Sequence, residues 1–189
     1  MNDLMERLSR YVPFNEQEQL DREDILWWLE RAENIYERSC RAAHMTASAW
    51  VVSPDREYVL MAYHNIYRSW SWLGGHADGE RDLLQTAQRE VSEESGVQNV
   101  RPVSDEIFSI EILTVDGHEK RGRYVPSHLH LNVTYLFEAD MNEELRVKPD
   151  ENSDVGWIPV DDLEKMVSEP WMMERIYKKL CAKAAQAGK

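Results

Sequence analysis

The segment from Asp82 to Ser95 constrains the fold of this chain more than any other, because its residue pattern fits one orientation of an α-helix. Four apolar residues recur at helical spacing and define a stripe that must be buried: Leu83, Leu84, Ala87 and Val91. In the same projection, Glu90 and Glu94 lie at the edge of that stripe or within it. The sequence therefore predicts a helix whose buried face carries two carboxylates.

Two carboxylates on a buried face require a compensating positive charge. Burying an unpaired carboxylate is costly, and like charges one helical turn apart repel each other. Mg²⁺ removes both penalties, because it prefers carboxylate and water oxygens as ligands. Glu93 lies beside the pair, and Arg89 can brace one member of the cluster by an ion pair. Gly75 allows close backbone approach, and its carbonyl can complete the metal shell. The expected metal site therefore consists of Glu90, Glu93, Glu94 and Gly75.

The rest of the chain reads as strands with helices at both ends. The runs with β-strand character are Thr46–Val52, Tyr58–Tyr63, Ser69–Leu73, Glu106–Val115, His128–Phe137 and Val155–Pro159. An amphipathic helix is predicted over Asp21–Arg38, a short helix over Asp161–Val167, and a C-terminal helix with Ser168 as its cap and Pro170 in its first turn. This order of elements predicts an α/β or α+β sandwich.

Charge and composition limit the class of function. With 22 basic and 35 acidic residues the chain has a formal net charge of −13, which disfavours binding to a nucleic-acid polymer or an anionic membrane. The first residues are charged rather than apolar, and there are only two cysteines, so neither a signal peptide nor a disulfide framework is expected. No apolar run is long enough to span a bilayer. We therefore expect a soluble, cytoplasmic protein.

The segment Gly75–Val97 resembles the Nudix box of the Nudix hydrolase superfamily. The family pattern is G-x5-E-x7-R-E-U-x-E-E-x-G-U, where U is a bulky aliphatic residue. The matching residues, in register, are Gly75, Arg89, Glu90, Val91, Glu93, Glu94, Gly96 and Val97. The first glutamate of the pattern is replaced by Arg81, and Glu80 lies one residue early. The supporting role of that glutamate has therefore either moved to Glu80 or been lost.

The resemblance implies a fold and an activity. The fold is a Nudix α/β/α sandwich with a mixed sheet, here with additional N-terminal and C-terminal helices. The activity is Mg²⁺-dependent hydrolysis, with Mn²⁺ as a substitute, of a nucleoside diphosphate linked to another moiety. By this resemblance Glu90 and Glu94 are the leading metal ligands, and Glu93 shares that duty or orients the attacking water. Arg89 and an acid in the later loop, Glu151, join Glu93 as catalytic candidates.

Residues outside the box supply the substrate candidates. His76 follows Gly75 directly, and His130 alternates with apolar residues on a predicted strand that also carries His128. Lys120, Arg121 and Arg123 form a basic patch suited to a phosphate, although a solvated hairpin loop explains them as well. Trp70 or Trp72 can stack on a base, and either can instead be a core residue. The expected partner is a small phosphorylated molecule, and a homodimer stays open.

Two other functions stay open at this stage. A diphosphate isomerase on the same scaffold needs a cysteine near the site, whereas Cys40 and Cys181 fall in the terminal segments. A non-catalytic nucleotide sensor has no need of three mutually repelling acids. The expected organisation is a helical extension over 1–45, a Nudix domain over 46–165 and a C-terminal helix within 166–189 packed on that domain.

Overall fold

The computed structural model describes residues 3–120, 122–149 and 152–187. The N-terminal region forms two helices, α1 (Asp3–Arg10) and α2 (Glu16–Arg31). Helix α2 begins at Asn15, whose side chain accepts a hydrogen bond from the Glu18 N–H at 3.0 Å. The predicted helix over Asp21–Arg38 is therefore wrong at both ends. Ile35 and Tyr36 are buried, as the apolar spacing requires, but they belong to a turn that follows the helix.

A mixed sheet forms the centre of the molecule. The strands are β1 (Ala43–Val52), β2 (Tyr58–His64), β3 (Ser69–Ser71), β4 (Leu73–His76), β5 (Arg101–Pro102), β6 (Ser109–Val115), β7 (His118–Lys120), β8 (Arg123–Val125), β9 (His128–Glu138) and β10 (Asn152–Pro159). The main sheet has the order β10-β2-β1-β9-β5, with β3 paired to β2, β4 to β1 and β6 to β9. Strands β1 and β9 are parallel, and the other pairs of this sheet are antiparallel. Strands β7 and β8 form a separate hairpin.

The strands differ from their predicted limits at several ends. Strand β1 begins at Ala43, three residues before its predicted start and inside the expected N-terminal extension. The predicted run Ser69–Leu73 is two short strands that pair with different neighbours, β3 with β2 and β4 with β1. Between the predicted strands Glu106–Val115 and His128–Phe137, the sequence indicates a polar loop over Asp116–Arg123, and the β7–β8 hairpin takes up most of it. The division into an extension, a Nudix domain and a C-terminal helix stays a prediction.

Helix α3 (Leu83–Ser95) matches its predicted limits. The Asp82 side chain caps its start by accepting from the Gln85 N–H at 3.1 Å. Gly96 ends it in the left-handed conformation, with a φ of 80° that favours glycine. These two caps fix the rotation of the helix, and hence which residues face the sheet.

The C-terminal region begins with a 3₁₀ turn, Val160–Asp162, and the short helix α4 (Leu163–Met166). A second helix starts at Pro170, in the predicted first turn, but Ser168 is not its cap, because the Ser168 hydroxyl donates to the Arg68 carbonyl at 2.9 Å. This helix runs through a π-helical segment, Met172–Tyr177, into α5 (Lys178–Ala184). None of the described helices is both long and apolar enough to cross a membrane.

Both faces of the sheet are covered by helices. On one face, Ala47 and Ala49 of β1 pack in the same cluster as Ala87 and Val91 of α3. On the other face, Trp50 stacks on Tyr177, with ring centroids 5.5 Å apart. This second face is apolar near the end of β1 but polar near its start, where His44, Thr46 and Ser48 are all buried. The observed α+β architecture, a mixed sheet between helices, confirms the predicted fold class.

Candidate active site

Helix α3 turns two carboxylates toward the sheet. Glu90 and Glu94 are buried, with 8% and 7% of their surface exposed, as the helical projection requires. An Oε atom of Glu94 accepts a hydrogen bond from the Gly74 N–H at 2.9 Å, and its other Oε lies 3.4 Å from the Asn152 amide nitrogen. Glu90 is paired with Arg89, whose guanidinium donates to it at 2.8 Å. Both acids are therefore held in fixed positions beside β4.

Gly75 is required by the close approach of α3 to β4. A Cβ atom at position 75 would lie 2.4 Å from Cδ of Glu90 and 2.6 and 2.7 Å from its two carboxylate oxygens. No side chain larger than hydrogen fits there unless the Glu90 carboxylate moves. The close approach expected of Gly75 is thus present, and its carbonyl as a metal ligand stays a prediction.

Glu93 lies apart from the buried pair. Its side chain is 47% exposed, and its carboxylate forms ion pairs at 3.6 Å with both Arg89 and Lys148. Arg89 therefore bridges Glu90 and Glu93, and the hydrogen bond to Glu90 raises the pKa of its guanidinium. Glu93 is held at the rim of the site by two cations, where a carboxylate can accept a proton from a bound molecule.

The donor set of this region fits a hard divalent cation. Glu90 and Glu94 offer carboxylate oxygens, and neighbouring backbone carbonyls offer more, which are the ligands that Mg²⁺ takes. Two buried carboxylates one helical turn apart also repel each other, and a cation bound by both reduces that repulsion. The residues present therefore suit Mg²⁺ or Mn²⁺.

The loop before α3 is held by the segment that follows α2. The Gly79 N–H donates to the Tyr36 carbonyl at 2.9 Å, and Arg38 pairs with Asp78, Nε to Oδ1 at 2.6 Å. Arg81 precedes the helix and lies over the Tyr36 ring, 5.1 Å from its centroid. Arg81 is therefore outside the helix, which begins only at Leu83.

Glu80 closes the turn that leads into α3. One of its carboxylate oxygens accepts from the Arg81 N–H at 2.7 Å and from the Asp82 N–H at 2.9 Å. These two hydrogen bonds lower the pKa of Glu80. Its side chain supports the backbone ahead of the helix cap, which is the kind of role expected if the missing box glutamate has moved by one residue.

Four histidines meet at the start of β1. The ligand nitrogens of His44, His76, His128 and His130 all lie within 4.8 Å of one another. In the parts of the chain that the structure describes, this is the one group of three or more His, Cys, Asp or Glu side chains whose ligand atoms are so close. The sequence singled out His76 and His130 as separate substrate candidates, whereas the structure brings them together. The sequence did not identify His44, because His44 meets the other histidines through the pairing of β1 with β9. Strand pairing leaves no pattern in the local sequence.

Two members of the histidine cluster are held neutral by burial. Burial lowers the pKa of His44. Burial, reinforced by the neighbouring His76, His44 and His128, lowers the pKa of His130 to about 2. A neutral imidazole keeps a lone pair on one ring nitrogen, so His44 and His130 can each offer one to a bound cation.

The remaining candidates contribute less. Arg123 is exposed on the β7–β8 hairpin, which the main sheet does not include. Glu151 and Arg121, like the side chain of Lys120, lie outside the described residues. Trp72 lies partly buried against Tyr177, at 5.7 Å between centroids, and Trp70 packs edge-on against Tyr63 at 5.8 Å. Both tryptophans therefore have core contacts.

Comparison with known proteins places the chain in a family. No curated protein matches its sequence. Its structure is similar to an Ap4A hydrolase from C. elegans, with a TM-score of 0.51 and 18% identity over 75% of this chain and 98% of the other. It is also similar to the dihydroneopterin triphosphate pyrophosphohydrolase of E. coli, with a TM-score of 0.54 and 13% identity over 73% and 94% of the two chains.

A third similar structure is RenU, a Nudix hydrolase from M. smegmatis, with a TM-score of 0.51 and 14% identity over 77% of this chain and 87% of the other. At these identities the likeness concerns the fold. The model of the NUDIX domain, however, matches residues 42–180, most of the chain. That match includes β1, the whole box and most of the C-terminal helix, and so the chain belongs to the NUDIX domain family of hydrolases.

Proposed function

We propose that this protein is a Mg²⁺-dependent pyrophosphohydrolase that cleaves the phosphoanhydride linkage of a nucleoside diphosphate joined to another moiety. One observation carries the proposal. Glu90 and Glu94 are buried one helical turn apart, against a glycine that leaves no room for a side chain. Such an arrangement is unfavourable in a protein that only folds, and it becomes favourable when a cation binds.

The side chains of the site have distinct tasks in this proposal. Glu90 and Glu94 would hold the cation, with the Gly75 carbonyl as a further ligand. Arg89 keeps the Glu90 carboxylate oriented, and the Gly74 N–H does the same for Glu94. The bound ion, when present, neutralises phosphate oxygens and lowers the pKa of a water. Glu93, at the rim, is placed to accept the proton of the attacking water.

The substrate class rests on the family and on charge. The similar hydrolases named above include proteins whose names specify Ap4A and dihydroneopterin triphosphate, both of which contain phosphoanhydrides. The acidic chain repels extended phosphate polymers, whereas a small phosphorylated molecule needs only the local field of the bound cation. We therefore propose a small nucleotide derivative as the substrate. We also propose that the enzyme is cytoplasmic.

A substrate screen tests the proposal. The purified protein is incubated with Mg²⁺ and a panel of nucleoside diphosphate sugars, dinucleoside polyphosphates and nucleoside triphosphates, and the release of nucleotide and phosphate is measured. We expect turnover of at least one class. Glu94→Gln should lower it at least ~10²-fold, whereas Glu144→Gln, whose side chain is 79% exposed and paired with Arg146, should not. Equal turnover by all three proteins, or no turnover across the panel, contradicts the proposal.

The isomerase alternative has little support from the cysteines. Cys181 lies in α5, and burial raises the pKa of its thiol to about 11. The backbone carbonyl of Cys40 accepts from the His44 ring at 3.1 Å. Neither thiol is among the groups that surround Glu90 and Glu94.

A further inference from the structure

The strand register brings the four histidines to one face of the sheet. His44 of β1 is directly opposite His130 of β9, and His128 lies two residues earlier on the same strand. His76 of β4 is opposite Thr46, two residues after His44. Side chains two residues apart on a strand share a face, so all four imidazoles project from the side of the sheet opposite α3. Their ring centroids are 4.8 to 5.2 Å apart in five of the pairs.

Backbone carbonyls determine which nitrogens face inward. Nδ1 of His44 lies 3.1 Å from the Cys40 carbonyl, and Nδ1 of His128 lies 2.8 Å from the Pro126 carbonyl. A carbonyl only accepts, so each Nδ1 carries the proton and each Nε2 keeps a lone pair. Metal-binding histidines are commonly held in this way, with the outer N–H donated to a carbonyl.

Nε2 of His44, the ring nitrogen that a metal ion would need, has no hydrogen-bond partner among the described residues. The residue is 96% buried, being 4% exposed, and its Nε2 makes no hydrogen bond within the described chain. Leaving a buried ring nitrogen unpaired is unfavourable. Nε2 of His128 also lies 3.2 Å from Nε2 of His130. That separation is close to the ligand–ligand edge of about 3.3 Å in a tetrahedron with Zn–N bonds of about 2.0–2.1 Å.

A cluster held together only by hydrogen bonds between its histidines accounts for fewer of these observations than a bound cation does. One N–H···N hydrogen bond accounts for the His128–His130 contact, but it leaves His44 Nε2 unpaired. A cation at the centre of the cluster accounts for both. The widest separation of ligand nitrogens, up to 4.8 Å, exceeds the tetrahedral edge, so the rings must close in slightly when an ion binds.

We propose that His44, His76, His128 and His130 form a tetrahedral Zn²⁺ site, distinct from the carboxylate site on the other face of the sheet. The ligand chemistry separates the two. Imidazole nitrogens suit Zn²⁺, whereas carboxylate oxygens suit Mg²⁺. The site goes beyond the proposed hydrolysis and does not depend on it.

The position of the site gives it a role in holding the box in place. It would join β1, β4 and β9, three strands that are far apart in the sequence. His76 directly follows Gly75, and its carbonyl lies 3.3 Å from the Arg89 guanidinium. Zn²⁺ would therefore fix the backbone of β4, against which Glu90 and Glu94 are positioned.

The test uses metal binding rather than activity. The full-length protein is treated with a chelator, dialysed and titrated with Zn²⁺ alone, and with Co²⁺ as a spectroscopic probe, in the presence of excess Mg²⁺. We expect one Zn²⁺ per chain with a Kd of about 1 μM or lower, and the strong visible absorption of tetrahedral Co²⁺. Binding much weaker than this, displacement by Mg²⁺ or a weak octahedral Co²⁺ spectrum overturns the proposal.

Histidine variants locate the ion. The chain has six histidines, so the two outside the cluster, His64 and His118, supply matched controls. His76→Gln should weaken Zn²⁺ binding at least ~100-fold, more than the loss of a supporting contact, whereas His118→Gln should bind as the wild type does. Retained binding in His76→Gln, or its loss in Glu94→Gln, contradicts the site.

A second measurement covers the case in which a variant fails to fold. The ring resonances of the histidines in the wild-type protein are followed by NMR during the Zn²⁺ titration. Those of the four cluster histidines should shift together and saturate at one equivalent, and those of His64 and His118 should not. If only the resonances of His64 and His118 shift, the proposal is overturned. This result requires no substituted protein.

Discussion

Glu94 is held by a backbone N–H and an amide, and these contacts predict what its replacement does. Glu94→Gln keeps the shape of the side chain but removes the charge, so the protein should fold while kcat falls at least ~10²-fold, as for the loss of a metal ligand. The measurement is kcat at saturating Mg²⁺, with circular dichroism to verify the fold. Rates near those of the wild type contradict a ligand role for Glu94.

A substitution of Gly75 tests the same site from β4, the strand that α3 approaches. Gly75→Ala places a methyl group against the Glu90 carboxylate, which is the mobile end of a side chain, so that carboxylate moves while the fold remains. We expect kcat/KM to fall at least ~10-fold, a loss of about 1.4 kcal/mol in transition-state stabilisation. Gly156→Ala is the matched control, because the nearest atom to its Cβ is in Trp70 at 3.7 Å, an ordinary contact. Equal effects of the two substitutions exclude this account.

The buried carboxylates also predict a response of stability to Mg²⁺. A cation that binds only the folded state at 100 times its Kd adds about 2.7 kcal/mol, which raises Tm by roughly 5–10 °C for a chain of this size. Thermal melts with and without Mg²⁺ measure the shift. Glu94→Gln should reduce it strongly. A shift that survives the substitution would assign the stabilisation to some other site.

Helix α3 shows how much of an element the sequence determines. Its limits and the burial of Glu90 and Glu94 follow from local spacing, and both agree with the structure. Helix α2 shows the limit of the same reasoning. Ile35 and Tyr36 continue its apolar spacing, yet they are buried in a turn, because Met45 and Gly79 take the hydrogen bonds of their carbonyls.

Local sequence patterns do not predict contacts between elements that are far apart in the sequence. The histidine cluster depends on the parallel pairing of β1 with β9, in which residues such as Thr46 and Asn132, 86 positions apart, become neighbours. Single strands show alternation but not their partners, so His76 and His130 were identified separately and His44 was missed. The pairing of β1 with β9 brings His44 to His128 and His130, and the pairing of β1 with β4 adds His76.

The turn ahead of α3 carries its own prediction. Glu80 accepts two hydrogen bonds from backbone N–H groups, whereas the exposed Arg81 only lies over the ring of the buried Tyr36. Arg81→Ala should therefore keep kcat/KM within about threefold of the wild type, as surface substitutions usually change stability by less than ~0.5 kcal/mol. Glu80→Ala should lower it further, and Glu80→Gln, which retains an acceptor oxygen, should restore part of the loss. A larger effect of Arg81→Ala would indicate that Arg81 contacts the substrate.

At the scale of the whole molecule, the N-terminal helices are joined to the C-terminal helix through buried charges. Lys179 lies 2.9 Å from Glu111 of β6 and 3.3 Å from Glu18 of α2, and Lys183 lies 2.7 Å from Glu18. Burial alone would raise the pKa of Glu18, but the two lysines outweigh it and the pKa is lowered. The segment before the family match is therefore a structural part of the molecule.

This network predicts a large and pH-dependent loss of stability. Glu18→Gln leaves the mostly buried Lys183 without its carboxylate and leaves Lys179 with Glu111 alone, so the free energy of unfolding should fall by roughly 3–5 kcal/mol. A carboxyl with a lowered folded pKa stabilises fully above its unfolded value, about 4.3, and this contribution disappears as the pH falls through the folded pKa. Urea denaturation across that range measures both effects. Glu16 is exposed on the same helix, so Glu16→Gln is the control. The assignment is contradicted if the difference in the free energy of unfolding between the wild type and Glu18→Gln does not change with pH.

The parallel pairing of β1 with β9 also determines when the histidine cluster forms during folding. Strand β4, which carries Gly75 and His76, is attached to the sheet through β1, while the other two histidine ligands arrive on β9. Closing a loop of more than eighty residues precedes that pairing, and contacts so distant in sequence form slowly. The nascent chain therefore lacks the complete histidine cluster until β9 has been synthesised and has met β1, whereas β4 and α3, which carry the carboxylate site, are close in the sequence. In a refolding experiment, the backbone amides of β1 and β9 should become protected from solvent exchange together, at a single rate.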